Sequence, residues 1–491
     1  KDLAGNETTV GPIRFFYHVS SPLTIQTNLN GVVITTNGVG QVLNAPKLFD
    51  GNATNLFVGR GYTLKAVETG APKYILTNWT ATWVGQTTPV VIQTNNLVCN
   101  FEMKEGMVIS ANFIDNPFFR FGGVYNGLFS DTENGVAFES AGFVTLKVTP
   151  KMGFSGKLFV DGNPIGFSGK LSIDGSGTAL TKVRTKIADK PELLVSITLD
   201  FAGQTDTVSG TITEVGDAWS SSLFAHRVVW STNKLASAFT NSYGMHIPGF
   251  ANNNQGPVGT SYGAAVVNHL GKLKVGGFMS DGVPMKQGSV VSEDGHWPFF
   301  SALYPEKRLN NLGKLITETK GMTMGWLQFK DNEFDNKAPS GAVHWIKTDW
   351  TNTTYTAGFT NHNVEVVGSR WTFDPLAPGN SVAGLGSQVT VSFLDGDLGS
   401  SFSNDWSVTE KGGLMVIKLP KPDVYEYQHF VKTGLAAKTG LYKGTFLHPV
   451  SSLVVKHLGI VLQDYNLGAG FFMGPTVSGK TTLVPSEAAP Q

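Results

Sequence analysis

The chain has 491 residues, of which 41% are hydrophobic and only 15% are charged. An average soluble domain has about 25% charged residues, and here glycine, with 58 residues, and abundant Thr, Ser, Asn and Val take their place. The 37 basic and 37 acidic residues cancel without a run of either sign, which excludes the basic stripe of a nucleic-acid-binding protein. The sequence contains no apolar stretch of about 18 residues, so no transmembrane helix is predicted.

The first segment, residues 1–27, contains the apolar run Phe15, Phe16 and Tyr17. A run of this kind predicts a strand that pairs with the sheet edge of a neighbouring molecule. We therefore expect residues 8–27 to form an assembly strand, with these three aromatic residues at its centre.

Residues 28–118 form the next predicted unit, a small β module. Its landmarks are residues 36–40, 58–66, 101–103 and 109–113 together with Trp79. In this order they resemble a divergent internalin-type B-repeat, a β module found in tandem on bacterial surface proteins. The resemblance covers residues 28–116 and implies a surface location.

The core of that module is predicted from alternation along its strands. Tyr62, Leu64, Ala66 and Trp79 lie at positions that face one side of a sheet. Cys99, the single cysteine of the chain, lies in an alternating stretch. We expect it to be a small buried core residue rather than a nucleophile.

Two larger antiparallel units are predicted after this module, at residues 119–300 and 301–491. Short runs alternate apolar and polar residues, clearly so at 143–148 and 193–199, and they end in turn residues. Several turns have the Asp-Gly chemistry of a hairpin, among them those that begin at Asp161, Asp174, Asp281 and Asp294. This spacing predicts one or two barrels or sandwiches, so the fold class is all-β.

Internal repetition supports a meander of strands. Residues 153–158 recur as residues 166–171, which predicts one strand and one turn repeated. The segment 125–129 also matches 442–446, which suggests a duplicated β unit. Helical periodicity is nearly absent, and the two best helix candidates are residues 309–316 and 431–438.

This larger region resembles the glycine-rich β region at the C-terminal end of large, uncharacterised secreted bacterial surface proteins. The resemblance rests on residues 294–298, 325–329, 344–347, 459–463 and 470–474. It implies an architecture and an extracellular or cell-surface location, and it implies no activity.

One sequence motif matches the pattern of a nucleotide-binding phosphate loop. Residues 474–481 satisfy the pattern G-x-x-x-x-G-K-[ST], but a phosphate-binding loop requires a following helix. Only residues 482–491 follow, and they contain two prolines. We interpret the motif as a hairpin between the last two strands and expect no nucleotide.

No catalytic or metal-binding motif is evident in the sequence. The ten histidines form no H-x-H or H-E-x-x-H pair. A glycosidase pair would have to come from carboxylates that mostly lie in turns. The candidates are Asp281, Glu293, Asp294, Asp349, Asp395 and Asp397. Residues 395–397 and 331–335 offer carboxylates of the type that calcium prefers, without the spacing of a dedicated calcium loop.

Five tryptophans that lie within one third of the chain are candidates for stacking on sugar rings if exposed, and for core packing if buried. They are Trp297, Trp326, Trp345, Trp350 and Trp371. The leading hypothesis is a non-catalytic extracellular structural or adhesive protein that self-associates or joins neighbouring surface proteins in a layer, fibre or matrix. The alternative is a carbohydrate-binding module that uses these tryptophans, and a weaker one is a glycan-active enzyme.

Overall fold

A computed structural model describes most of the chain as β-strands. The described residues are 19–27, 39–43, 53–66, 74–94, 96–182, 190–216, 218–309, 313–334, 336–350, 354–373, 385–409, 414–416 and 432–486. The longest helix among them, α1 (Phe118–Phe121), has four residues, and no described helix has the length and hydropathy to cross a membrane. The fold class predicted from the sequence, all-β, is confirmed.

The chain forms two compact units, and the first ends at Arg120 and also takes in Thr149–Lys151. It contains β1 (Ser20–Thr27), β2 (Val39–Leu43), β3 (Ala53–Phe57), β4 (Gly61–Ala66), β5 (Tyr74–Trp83), β6 (Gln86–Thr94), β7 (Val98–Glu102) and β8 (Val108–Asp115). One sheet has the order β3-β1-β8-β5-β6 and the other β2-β4-β7. Their facing sides share one apolar core, which includes Leu64, Trp79 and Cys99, all fully buried.

Three core predictions for this unit are confirmed, since Tyr62, Leu64 and Trp79 are buried. The thiol of Cys99 is also buried, and burial raises its pKa to about 11, as befits a core residue. The segment 1–27 is not a free assembly strand over the part that is described. β1 pairs antiparallel with β3 and parallel with β8, so both of its edges are hydrogen-bonded.

The second unit begins with a closed eight-stranded barrel, barrel 1. Its strands are β9 (Gly123–Ser130), β10 (Gly142–Val148), β11 (Gly153–Val160), β12 (Asn163–Leu171), β13 (Ser176–Leu180), β14 (Leu193–Leu199), β15 (Thr207–Glu214) and β16 (Ser220–Arg227). Each strand pairs antiparallel with the next, and β16 pairs with β9. The alternation predicted at 143–148 and 193–199 is confirmed, because β10 and β14 bury every second residue.

An eight-stranded sheet, barrel 2, follows with the order β20-β19-β18-β17-β24-β23-β22-β21. Its strands are β17 (Asn241–Ile247), β18 (Ser261–Val267), β19 (Lys272–Phe278), β20 (Pro284–Val290), β21 (His296–Leu309), β22 (Leu315–Asp331), β23 (Lys337–Lys347) and β24 (Phe359–Trp371). The first strand pairs with the last, as in barrel 1. No main-chain ladder joins the fully described strands β20 and β21, so the sheet is open there.

The last eight-stranded sheet, barrel 3, has the order β27-β26-β25-β32-β31-β30-β29-β28. Its strands are β25 (Gln388–Asp395), β26 (Phe402–Val408), β27 (Leu414–Val416), β28 (Lys432–Ala436), β29 (Leu441–Leu447), β30 (Val454–Leu462), β31 (Leu467–Met473) and β32 (Ser478–Pro485). Again the first strand, β25, pairs antiparallel with the last, β32. The second unit contains three eight-stranded sheets, whereas one or two barrels or sandwiches were predicted from the sequence. The domain boundary expected at residue 300 falls inside β21.

Both helix predictions are wrong. The segment 309–316 holds the end of β21 and the start of β22, and the segment 431–438 holds β28. In both places cross-strand pairing satisfies the backbone groups, which overrides weak local helix periodicity.

Many strand glycines lie opposite inward-facing aromatic rings. Gly459 pairs with Tyr442 and Gly479 pairs with Phe472, and a Cβ atom on either glycine would collide with the facing ring. The ring therefore covers the backbone of its partner strand, a known way of stabilising glycine in sheets. These strand positions require glycine, because barrel interiors must alternate large and small residues to be filled.

Apolar clusters hold the three barrels of the second unit together. Leu128 and Phe138 of barrel 1 pack with Phe300 and Met322 of barrel 2. Tyr262 of barrel 2 packs in the same way with residues of barrel 3. Strands at these junctions, such as β9 and β17, are buried on both faces, so their sequences lose the regular alternation of a one-sided strand.

Candidate functional site

Among the described strands of the first unit, the nine-residue strand β6 has an open edge. β6 is the last strand of the five-stranded sheet, and no described strand lies against its outer side. Residues 87–91 are all exposed, and the side chains of Val90 and Val91 are 39% and 52% exposed. Soluble proteins usually protect such an edge with charge or cover it, because its free N–H and C=O groups can pair with another strand.

The composition of β6 favours pairing. Its sequence, QTTPVVIQT, has no charged residue and is rich in Thr, Val and Ile, which have high β-propensity. Pro89 removes one N–H donor, as is typical of edge strands. The strand is held on its inner side by β5, where Ala81 pairs with Val90 and Thr80 with Val91. The edge therefore presents a preformed strand to a partner.

The predicted assembly residues Phe15, Phe16 and Tyr17 lie outside the described residues. β6 is an edge that the sequence-based analysis missed. Its signal was present in Pro89, since a proline within an uncharged run of high β-propensity marks an edge strand. What the sequence could not supply was the order of the strands in the sheet.

Three of the five candidate glycan-stacking tryptophans have no ring face open to solvent. Trp297 and Trp345 are fully buried in the core of barrel 2, and Trp371 is 4% exposed. Each indole N–H donates to an internal acceptor: Gln287 Oε1, Tyr304 Oη and the carbonyl of Ala437. These three residues are core, which corrects the stacking prediction for them.

Trp326 and Trp350 are half-buried. Trp350 packs on the barrel 2 core, with its ring centroid 5.8 Å from that of Tyr304. Trp326 packs at the junction of barrels 1 and 2, beside Phe224. The five tryptophans do not form one coplanar platform, since they are divided between cores and a junction.

Asp281 is the one candidate carboxylate that is buried. Its Oδ2 accepts a 2.6 Å hydrogen bond from the hydroxyl of Tyr304, and its Oδ1 accepts one from the N–H of Val283. Burial raises the pKa of Asp281, which these hydrogen bonds and the nearby Lys347 ammonium group oppose. Trp345 donates to the same tyrosine hydroxyl, so the group belongs to a polar network inside barrel 2.

The other candidate carboxylates lie at the surface or in turns. Asp281 follows β19 and Asp294 follows β20, and consecutive turns of a meander lie at opposite ends of its strands. These two residues therefore cannot act as a glycosidase pair. Glu293 forms an ion pair with Lys234, and Asp349 is exposed.

Asp397 fixes the turn between β31 and β32. Its Oδ2 accepts hydrogen bonds from the N–H groups of Thr476 and Val477, at 2.7 and 3.2 Å. Asp395, beside it, adopts a positive φ of 61°. The motif at 474–481 is thus a β-hairpin, as predicted. In the second calcium candidate, Asp331 forms an ion pair with Lys337, and Asp335 lies outside the described residues.

No protein-family model matches the chain. No curated protein matches it either. Among solved structures, the chain is similar to a double mutant of the vaccine antigen transferrin binding protein B (TbpB) from Haemophilus parasuis Hp5, with 8% identity, a TM-score of 0.17 and 98% of each chain covered. A single mutant of the same protein has 9% identity and a TM-score of 0.19, covering 95% of this chain and 99% of that one.

Intact Ap-TbpB, with its N and C lobes, has 9% identity and a TM-score of 0.18, covering 91% of this chain and 98% of that one. TM-scores this low mean that the backbones do not superpose.

Proposed function

We propose that this chain is a non-catalytic extracellular structural protein, a building block of a surface layer, fibre or matrix whose copies join through β6. The observation that carries the proposal is the edge of β6, which no described strand covers and which has five consecutive exposed residues. A second strand added there would gain main-chain hydrogen bonds along its length.

A second copy of the same chain is the partner that fits this edge. β6 has no charged residue, so two copies paired antiparallel place no like charges opposite each other. Thr and Val side chains would form the cross-strand pairs. Pro89 lacks an N–H, so we expect pairing on either side of it rather than through it.

The second unit supports the same role. Its three barrels are joined by apolar clusters and by polar contacts such as the 2.8 Å hydrogen bond between His246 Nε2 and the carbonyl of Ile460. Barrels joined to one another in this way suit the building block of a larger assembly. Low charge and abundant Thr, Ser and Gly are in keeping with an extracellular surface.

The test is the assembly state of the protein at neutral pH, followed by light scattering and electron microscopy. We expect ordered assemblies that Val91→Lys reduces to monomers, because the new ammonium group would be repeated at every joint. The matched control is Val266→Lys. Val266 is also 52% exposed, but it lies on β18, which is paired on both sides.

A clean monomer of the unaltered protein would refute the proposal. Equal loss of assembly in both lysine variants would also refute a specific role for β6. In either case the carbohydrate-binding alternative would be examined by glycan-array binding, with Trp326 as the first substitution.

A further inference from the structure

Three side chains from two barrels meet at one end of barrel 2. His226 lies on the outward face of β16 in barrel 1, Asp294 lies in the turn between β20 and β21, and His296 is the first residue of β21. One ring nitrogen of each histidine and one carboxylate oxygen of Asp294 all lie within 4.8 Å of one another. Two imidazoles and a carboxylate form a common ligand set for divalent transition metals.

The turn that carries two of these ligands is well fixed. Ser292 donates its N–H to the carbonyl of His296, and His296 donates its N–H to Ser292 Oγ, both at 2.9 Å. Gly295, between the two ligands, adopts a φ of +81°, and its carbonyl accepts the N–H of Phe329. Asp294 and His296 therefore project from a constrained backbone.

Aromatic rings form one wall of the cluster. The rings of His226 and His296 are stacked, with centroids 4.7 Å apart and planes 11° from parallel. Trp326 meets both edge-on, at 5.5 and 6.3 Å. An apolar wall restricts water on that side, which strengthens electrostatic contacts within the cluster.

One ring nitrogen of His296 lacks a hydrogen-bond partner. Its Nδ1 is buried, and no described residue gives it a hydrogen bond. A buried polar atom is costly when it lacks a partner, and a bound metal ion would remove this cost by taking the lone pair.

The neighbouring charges are already paired, with one exception. Arg227 pairs with Asp206 at 2.9 Å, and Lys234 pairs with Glu293 at 2.5 Å. Among the described residues the carboxylate of Asp294 has no hydrogen bond or ion pair. A cleft of about 270 Å³ opens beside it, lined in part by Asp294 and His226.

We propose that His226, Asp294 and His296 bind one divalent transition metal ion, with zinc as the best fit, and so join barrel 1 to barrel 2. Metal–ligand bonds of about 2.0–2.1 Å in tetrahedral geometry place donors about 3.4 Å apart. The donors lie within 4.8 Å of one another and must therefore approach by up to about 1.4 Å. The two imidazole planes must also tilt out of their stacked arrangement so that both lone pairs point at the ion. The exposed side chain of Asp294 is free to rotate inward, and the cleft leaves room for water as a fourth ligand.

Zinc binding to the full chain is measured by titration calorimetry, with cobalt(II) absorption as a report on the donor set. We expect one site, and we expect His226→Ala and Asp294→Asn each to weaken binding by about tenfold or more, since even outer-shell changes cost 10–100-fold. Zinc should raise the Tm of the unaltered protein but not that of either variant. Asp294→Asn changes an exposed residue, so loss of folding does not obscure its result.

Two controls make the test specific. His269→Ala removes an exposed histidine outside the cluster and should leave binding unchanged. His344 and His362, with their Nδ1 atoms 2.9 Å apart, are a second histidine pair in contact among the described residues, and the double variant to Gln should bind zinc normally. The proposal fails if zinc does not bind, if Asp294→Asn binds as tightly as the unaltered protein, or if the His344/His362 variant loses the site.

Discussion

The indole nitrogen of Trp297 donates a 2.8 Å hydrogen bond to Oε1 of Gln287, across the gap between β21 and β20 where barrel 2 lacks a main-chain ladder. Gln287 also donates through Nε2 to the carbonyl of Pro298, and Ser301 Oγ accepts the N–H of Lys286. Side chains thus make the connections that backbone groups make elsewhere in the barrel.

Replacing Gln287 with Met should destabilise the protein by about 1–3 kcal/mol, because the buried indole N–H of Trp297 loses its acceptor. Chemical denaturation followed by tryptophan fluorescence measures the loss. Gln388→Met, at an exposed first residue of β25, is the control and should change the free energy of unfolding little. Similar effects of both substitutions would contradict the role assigned to Gln287.

Gly459→Ala should destabilise barrel 3 by about 1–3 kcal/mol, the typical cost of overpacking a filled core. The added methyl group would overlap the buried ring of Tyr442 on the neighbouring strand. Thermal unfolding of this variant is compared with that of Gly276→Ala, a strand glycine with open space around its Cβ position. The second variant should retain or slightly raise the Tm, and a matching fall in both would refute the explanation.

Stability should fall as the pH is lowered from about 6.5 to about 4. Burial lowers the pKa of both His246 and His457 from 6.5 to about 4, partly opposed by hydrogen bonds to backbone carbonyls. Between these pH values the unfolded state binds more protons, so the stabilisation is complete above pH 6.5 and is lost as the pH falls through the folded pKa. Each residue contributes at most about 3 kcal/mol.

Denaturant midpoints measured across this range test the pH effect. His246→Gln and His457→Gln should each flatten the pH dependence, whereas the same change at the exposed His269 should not. A slope unaffected by the two buried substitutions would place the acid sensitivity elsewhere.

Asp397→Ala should destabilise barrel 3 by about 1–2 kcal/mol, since a carboxylate that accepts two backbone N–H groups is removed from the β31–β32 turn. Asp405→Ala is the comparison, because that carboxylate accepts only a hydroxyl hydrogen bond from Thr390 among the described residues. Urea denaturation should give the larger loss for Asp397. The reverse order would show that the turn does not depend on this carboxylate.

Local strand and turn structure was predictable because it depends on neighbouring residues. Asp161 and Gly162 form the two-residue loop between β11 and β12, with positive φ values of 48° and 72°, as an Asp-Gly hairpin requires. The repeat at 153–158 and 166–171 likewise predicted a meander. Its antiparallel pairing places Phe154 opposite Gly169 and Phe167 opposite Gly156, so each copy covers the glycine of the other.

The match between 125–129 and 442–446 falls on β9 and β29, which have similar surroundings. A Cβ atom on Gly127 would meet the carbonyl of Phe224 on β16, and one on Gly444 would meet that of Lys432 on β28. β9 is the first strand of its barrel, however, and β29 is the fifth of its own. The similarity of the two sequence segments indicated that the two strands have similar surroundings. Only the strand order shows that they occupy different positions in their barrels.

Long-range features were not predictable. The burial of Trp297 and Trp345 depends on which strands close around them. The cluster of His226 with Asp294 and His296 depends on how two barrels pack, so no local spacing marks it. The open edge of β6 depends in the same way on which strand ends the sheet.

The pairing of first and last strands has a mechanical consequence. In barrel 1, Tyr125 near the start of β9 lies beside Arg227 at the end of β16, and barrels 2 and 3 have the same arrangement. A force that pulls the two ends of a barrel apart therefore acts on the first and last strands, which are paired with each other. It breaks the hydrogen bonds between these two strands one after another. Strands loaded along their length would have to release all their bonds together. Each barrel should therefore yield at low force, and a fibre of such subunits would stretch before it broke.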